Sequence, residues 1–168
     1  MLLASTMEEA YTRLLDRLDG ITDDEFFWKP VPDAWTIYQD RPGHWTYNYE
    51  IPDPDPAPMT TIAWQVVHLV TTRFMYHEWA YGTAKLTFPE LTIPHDVKRA
   101  MQDLEAGYEA LKADLEIETE DGLDQPRKTN WGDMWPAWRI FTAMTDHDAL
   151  HTGTIGALRD LYYWTTRS

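Results

Sequence analysis

The stretch Thr145-Asp146-His147-Asp148-Ala149-Leu150-His151 lies inside a long helical pattern. Its apolar stripe runs Ile140, Met144, His147, His151, Ile155, Leu158, Tyr162. Residues four apart on a helix lie about 40° apart, one turn above the other. The spacing therefore places His147 and His151 side by side on the face that turns inward. Two imidazoles stacked in this way can bind one metal ion between them, and a third ligand must come from elsewhere in the chain. No Glu follows His147, so the pair is not the H-E-x-x-H of a metalloprotease.

Working outward, the pattern around this pair opens at Pro136 and runs to about Tyr163 as the last of four helical segments. The first carries the stripe Met7, Tyr11, Leu14, Leu18 and stops at Gly20, with Ser5 and Glu8 spaced as a capping box. The second starts at Thr60 or Thr61, ends at Gly82 and is apolar over most of its circumference. The third reads Val97, Met101, Leu104, Tyr108, Leu111, Leu115 and ends before the acidic run 116–121, with Pro94 placed to start it. Strand alternation is not evident between them. The expected fold is all-α: one antiparallel four-helix bundle domain spanning residues 1–168.

Between the first two helices lies a long connection, Thr22 to about Pro58, with seven prolines. Its aromatic residues, Phe26, Phe27, Trp28, Trp35, Tyr38, Trp45, Tyr47 and Tyr49, are those that disordered segments lack. The expectation is an ordered arm wrapped over one end of the bundle, with a short helix near Asp23–Trp28. It either roofs a site or shields the bundle end.

Composition narrows the functional classes. The formal charge is −14 over 168 residues, which disfavours nucleic acids and anionic membranes as partners. No cysteine is present, so thiolate ligands and a cysteine nucleophile are excluded. The chain starts without a signal-peptide pattern and lacks an apolar run long enough for a membrane span, which leads to the expectation of a cytoplasmic protein.

Of six histidines, His44 and His95 read as surface or capping residues. His77 is nine residues beyond His68, about half a turn round the helix, and points away from whatever His68 faces. His68, His147 and His151 remain, all in apolar helical surroundings. Read on their own, they are equally compatible with core histidines or with ligands.

Four pieces of the chain resemble the DinB-like superfamily: Lys29-Pro30-Val31-Pro32-Asp33-Ala34-Trp35-Thr36, Thr60 through Leu69, Asp146 through His151, and Gly156 through Tyr162. The resemblance covers nearly the whole chain in order. It implies a four-helix bundle, often dimeric, with His68, His147 and His151 as ligands of a divalent ion. Zn, Ni, Fe and Co all suit three imidazoles. The enzymes of that superfamily activate the thiol of a low-molecular-weight cofactor such as mycothiol, bacillithiol or glutathione. A stand-alone thiol S-transferase acting on a small electrophile is the expected function. A non-catalytic stress-associated metal or dimer protein and a metal-dependent hydrolase are the alternatives. Asp146 and Asp148 are candidate partners for a ligand imidazole, or solvated surface carboxylates. Arg73, Arg139 and Arg159 are candidates for an anionic substrate group.

Overall fold

The computed structural model describes residues 2–52 and 54–167. Its helices are α1 (Leu2–Leu18), α2 (Asp23–Phe27), α3 (Ile62–Tyr81), α4 (Val97–Glu116), α5 (Glu120–Leu123) and α6 (Ala137–Thr166). The described residues also form a short 3-10 turn (Phe88–Glu90) and two antiparallel hairpins: β1 (Ile37–Arg41) with β2 (His44–Tyr47), and β3 (Pro126–Lys128) with β4 (Met134–Pro136). The chain is mostly helical, as the periodicity predicts, but the expected absence of strands is wrong. Neither β1 nor β2 alternates between a buried and an exposed face, so the period-two signal that betrays a strand is missing.

Helix boundaries follow local chemistry. Thr61 caps α3 by accepting the Trp64 backbone N–H at 3.1 Å, and Gly82 ends it. Asp96 caps α4 through the Arg99 N–H at 2.7 Å, so the helix begins at Val97, three residues after the proline expected to open it. Gly20, at φ 67°, turns the chain out of α1 into α2. The expected Ser5–Glu8 capping box is not formed. The helix already starts at Leu2, so Ser5 lies inside it and its hydroxyl reaches Glu9 instead. The short helix α5 begins at the end of the acidic run that follows α4.

The four long helices share one apolar core. α1 packs on α6, and α3 packs on both α4 and α6. Leu14, Leu18, Phe26, Ile62, Val66, Leu69, Leu104, Phe141 and Ile155 are buried in a single cluster. Each such side chain contributes about 1.5–3 kcal/mol through burial. Tyr11 and Tyr108 stack at 3.9 Å between α1 and α4. A Cβ at Gly107 would stand 3.1 Å from the Arg73 Cβ, which marks a close approach of α4 to α3.

The largest fully buried side chain is charged. Arg73 donates to both oxygens of Asp148 at 2.7 and 2.8 Å and to the Leu104 carbonyl at 2.8 Å. This pair joins α3, α4 and α6 in the middle of the core. A second arginine, Arg159, grips both oxygens of Glu25 and the carbonyls of Arg17 and Asp19, tying α6 to the α1–α2 corner.

The arm is ordered and tied to the start of α3. Trp35 N–H donates to the Met59 carbonyl, and Thr61 N–H to the Trp35 carbonyl, each at 2.8 Å. The Trp64 indole N–H donates to the Asn48 carbonyl at 2.7 Å. This end of α3 is where His68 sits.

Candidate metal centre

His68 projects from α3, and His147 and His151 from successive turns of α6. Packing of α3 against α6 brings the three rings together. His147 Nε2 lies 3.1 Å from His68 Nε2 and 3.0 Å from His151 Nε2. His77, by contrast, pairs with Asp114 of α4 at 2.7 Å, on another side of α3. His44 pairs with Asp40 on the β1–β2 hairpin, and His95 stacks on Trp45.

Three converging nitrogens are poorly matched as a hydrogen-bond network. An imidazole nitrogen carries either one N–H or one in-plane lone pair, so His147 Nε2 can satisfy only one of the two nitrogens it faces. A cation at about 2.0–2.1 Å from each nitrogen would use all three lone pairs at once. The donor set fits a divalent ion of the Zn, Ni, Fe or Co type.

The electrostatics keep the lone pairs available. Burial, and then the neighbouring His68 and Arg73, push the His147 pKa down to about 3. Burial, and then the other two imidazoles, push that of His151 down to about 2. Both rings are neutral at pH 7, the form that ligates metals.

Gln65 orients the site. It lies one turn before His68 on α3 and is buried, and its Oε1 accepts from His151 Nδ1. Its amide nitrogen donates to the Thr60 hydroxyl at 2.7 Å, leaving Oε1 to face His151. With the proton held on Nδ1, His151 must present a bare Nε2 to its neighbours. Trp64 supports His68 by stacking on it at 4.8 Å, with 10° between the planes.

The carboxylates flanking His147 do not have the role considered for them. Asp148 turns away to bind Arg73, and Asp146 is exposed; Gln65 takes the imidazole instead. The arginines also have structural partners rather than a substrate. Arg73 is locked to Asp148, Arg159 to Glu25, and Arg139 lies over the Trp135 ring at 4.1 Å. The i, i+3 spacing of Gln65 and His68 was the available signal for the orienting residue.

Above the nitrogens opens a cavity of about 600 Å³. The arm contributes Trp35, Tyr49, Pro54 and Pro58, and the β3–β4 connection contributes Asn130 and Trp131. The arm therefore walls the site as well as covering the helices. The three nitrogens open toward this cavity rather than being sealed by a fourth side chain among the described residues.

No curated protein matches the chain. The family model of the DinB superfamily matches residues 6–155, most of the sequence. On that match, the helical fold and the three gathered histidines agree with the resemblance seen in the sequence, and the chain belongs to the DinB superfamily.

Proposed function

We propose that the protein is a divalent-metal-dependent thiol S-transferase. His68, His147 and His151 are the metal ligands, and a low-molecular-weight thiol such as mycothiol or bacillithiol is the cofactor. The observation that carries the reading is the convergence of three imidazole nitrogens at the floor of a cavity large enough for a small molecule. An ion held there by three neutral ligands keeps its charge and lowers the pKa of a thiol bound to it.

The chain's own residues hold and shield that chemistry. Gln65 keeps the His151 proton on the far nitrogen, and Trp64 holds the His68 ring in plane. The aromatic wall limits water at the reacting atoms. Sulfur forms the new bond to the electrophilic carbon while the leaving group departs with its electron pair, and the thiol proton passes to solvent. Without a cysteine in the chain, the sulfur nucleophile is supplied by the cofactor. The proposal takes the four long helices as one antiparallel bundle domain that associates as a homodimer and acts on small molecules in the cytoplasm.

Metal content of untagged protein, measured beside His151→Ala, tests the site. Near-stoichiometric metal in the wild type and its loss in the variant are expected. Cobalt-loaded protein is then titrated with mycothiol, bacillithiol and glutathione, and a sulfur-to-cobalt charge-transfer band is expected with the cofactor thiol. Metal without any thiol response would refute the transferase reading; no metal after incubation with zinc and nickel would refute the centre itself.

A further inference from the structure

The cavity wall has a property that metal binding does not require. Six aromatic rings line it, from Trp35, Tyr49, Trp64, Tyr76, Phe88 and Trp131, and no Lys, Arg, Asp or Glu does so among the described residues. In a chain with 25% charged residues, this is a selective exclusion. The nearest buried charges, Arg73 and Asp148, are turned on each other rather than on the cavity. The rings also form a connected run. Trp131 meets Phe88 at 6.3 Å, Phe88 meets Tyr49 at 5.7 Å, and Tyr49 stacks on His68 at 6.1 Å.

Each kind of ligand meets a different energy here. A carboxylate or phosphate seated at the aromatic wall, away from the metal, would lose water without gaining a counter-ion there, inside a chain of charge −14. A cation would face the divalent ion on the floor. A flat uncharged ring loses little hydration and gains offset or edge contacts with rings spaced to receive it.

We infer that the cavity wall selects an uncharged, planar aromatic group, seated beside the donor atom that the metal takes. The donor atom rests on the metal-dependent reading above; the selection for an uncharged ring rests on the wall alone. For the transferase, this names the class of electrophile as neutral and aromatic. It also favours a cofactor thiol without carboxylates.

Calorimetric titration tests the two parts separately. Zinc-loaded protein is titrated with 2-naphthalenethiol and with its 6-carboxylate and 6-ammoniomethyl analogues, which differ only in the remote charge. Metal-free protein is titrated with 2-naphthalenemethanol and 2-naphthoate. The uncharged member should bind at least about tenfold more tightly in each series, a modest fraction of the full cost of burying one unpaired charge. Comparable or tighter binding of the charged analogues overturns the inference. Should zinc fail to bind, the metal reading falls, and the metal-free pair still decides the cavity. Trp131→Ala should weaken the uncharged ligand by roughly three- to tenfold while leaving the zinc content unchanged. An unchanged affinity would place the ligand elsewhere and overturn the assignment.

Discussion

Replacing Gln65 with leucine removes the side chain that accepts from His151 Nδ1. The volume is nearly conserved, so the core around α3 should hold. Two buried groups lose their partner: the His151 Nδ1–H and the Thr60 hydroxyl, which sit on opposite ends of the Gln65 amide. Loss of such an outer partner lowers metal affinity by about 10–100-fold, equal to roughly 1.4–2.7 kcal/mol. The orphaned N–H adds about 1–3 kcal/mol of destabilisation in the metal-free protein. Competition for zinc against a chromophoric chelator reads the first effect, and urea unfolding of metal-free protein reads the second. Gln65→Glu keeps an acceptor toward Nδ1 and should retain more of the affinity than the leucine variant. If Gln65→Leu binds zinc as tightly as wild type while unfolding normally, the orienting role is refuted.

The buried Arg73–Asp148 pair gives a prediction independent of any metal. Arg73→Met leaves the Asp148 carboxylate unpaired in the core and should cost about 3–5 kcal/mol, whereas Arg73→Met with Asp148→Leu should recover most of it. At about 2–4 °C per kcal/mol for a chain of this size, the single variant should melt roughly 6–20 °C lower, as calorimetry would show. Arg159→Lys keeps the charge but loses the paired contacts to Glu25 and the two carbonyls, and should cost about 1–3 kcal/mol in denaturant unfolding. The metal-free protein should also be acid-sensitive. The folded-state pKa values of His147 and His151, about 3 and about 2, lie below the unfolded value, so stability is full above about pH 6.5 and falls as pH drops from there toward 3. Each ring contributes up to about 1.4 kcal/mol per pH unit, and replacing both with phenylalanine should flatten the urea midpoint over that range.

The helices were legible because their signals are local. Capping threonine, terminating glycine and apolar spacing all sit within a few residues of the ends they define, as at Thr61 and Gly82. The hairpins were not, because pairing Ile37 with Tyr47 is settled by what lies across the turn and leaves no alternating pattern in either strand. The histidines show the same division. The pairing of His147 with His151 follows from helix pitch, and the arrival of His68 beside them depends on how α3 meets α6. Asp148 misled for a geometric reason: adjacent helical residues point about 100° apart, so a carboxylate next to a ligand in sequence faces a different neighbour in space. Gln65 stands in sequence among valines and a tryptophan, where nothing but its one-turn offset from His68 distinguishes it.

The same two helices are pinned to each other twice. α3 supplies both His68 and Arg73, and α6 supplies both His147 and Asp148. One contact between two rods leaves them free to pivot, but two separated contacts block both sliding and rolling. The three nitrogens therefore sit in a jaw whose gape is set in part by the adjoining Arg73–Asp148 salt bridge. Were the proposed ion bound there, such a jaw would resist widening for a larger cation, and the packing itself would discriminate by ionic radius. Loosening the salt-bridge pin, rather than altering any ligand, would then be the way to broaden the range of ions accepted.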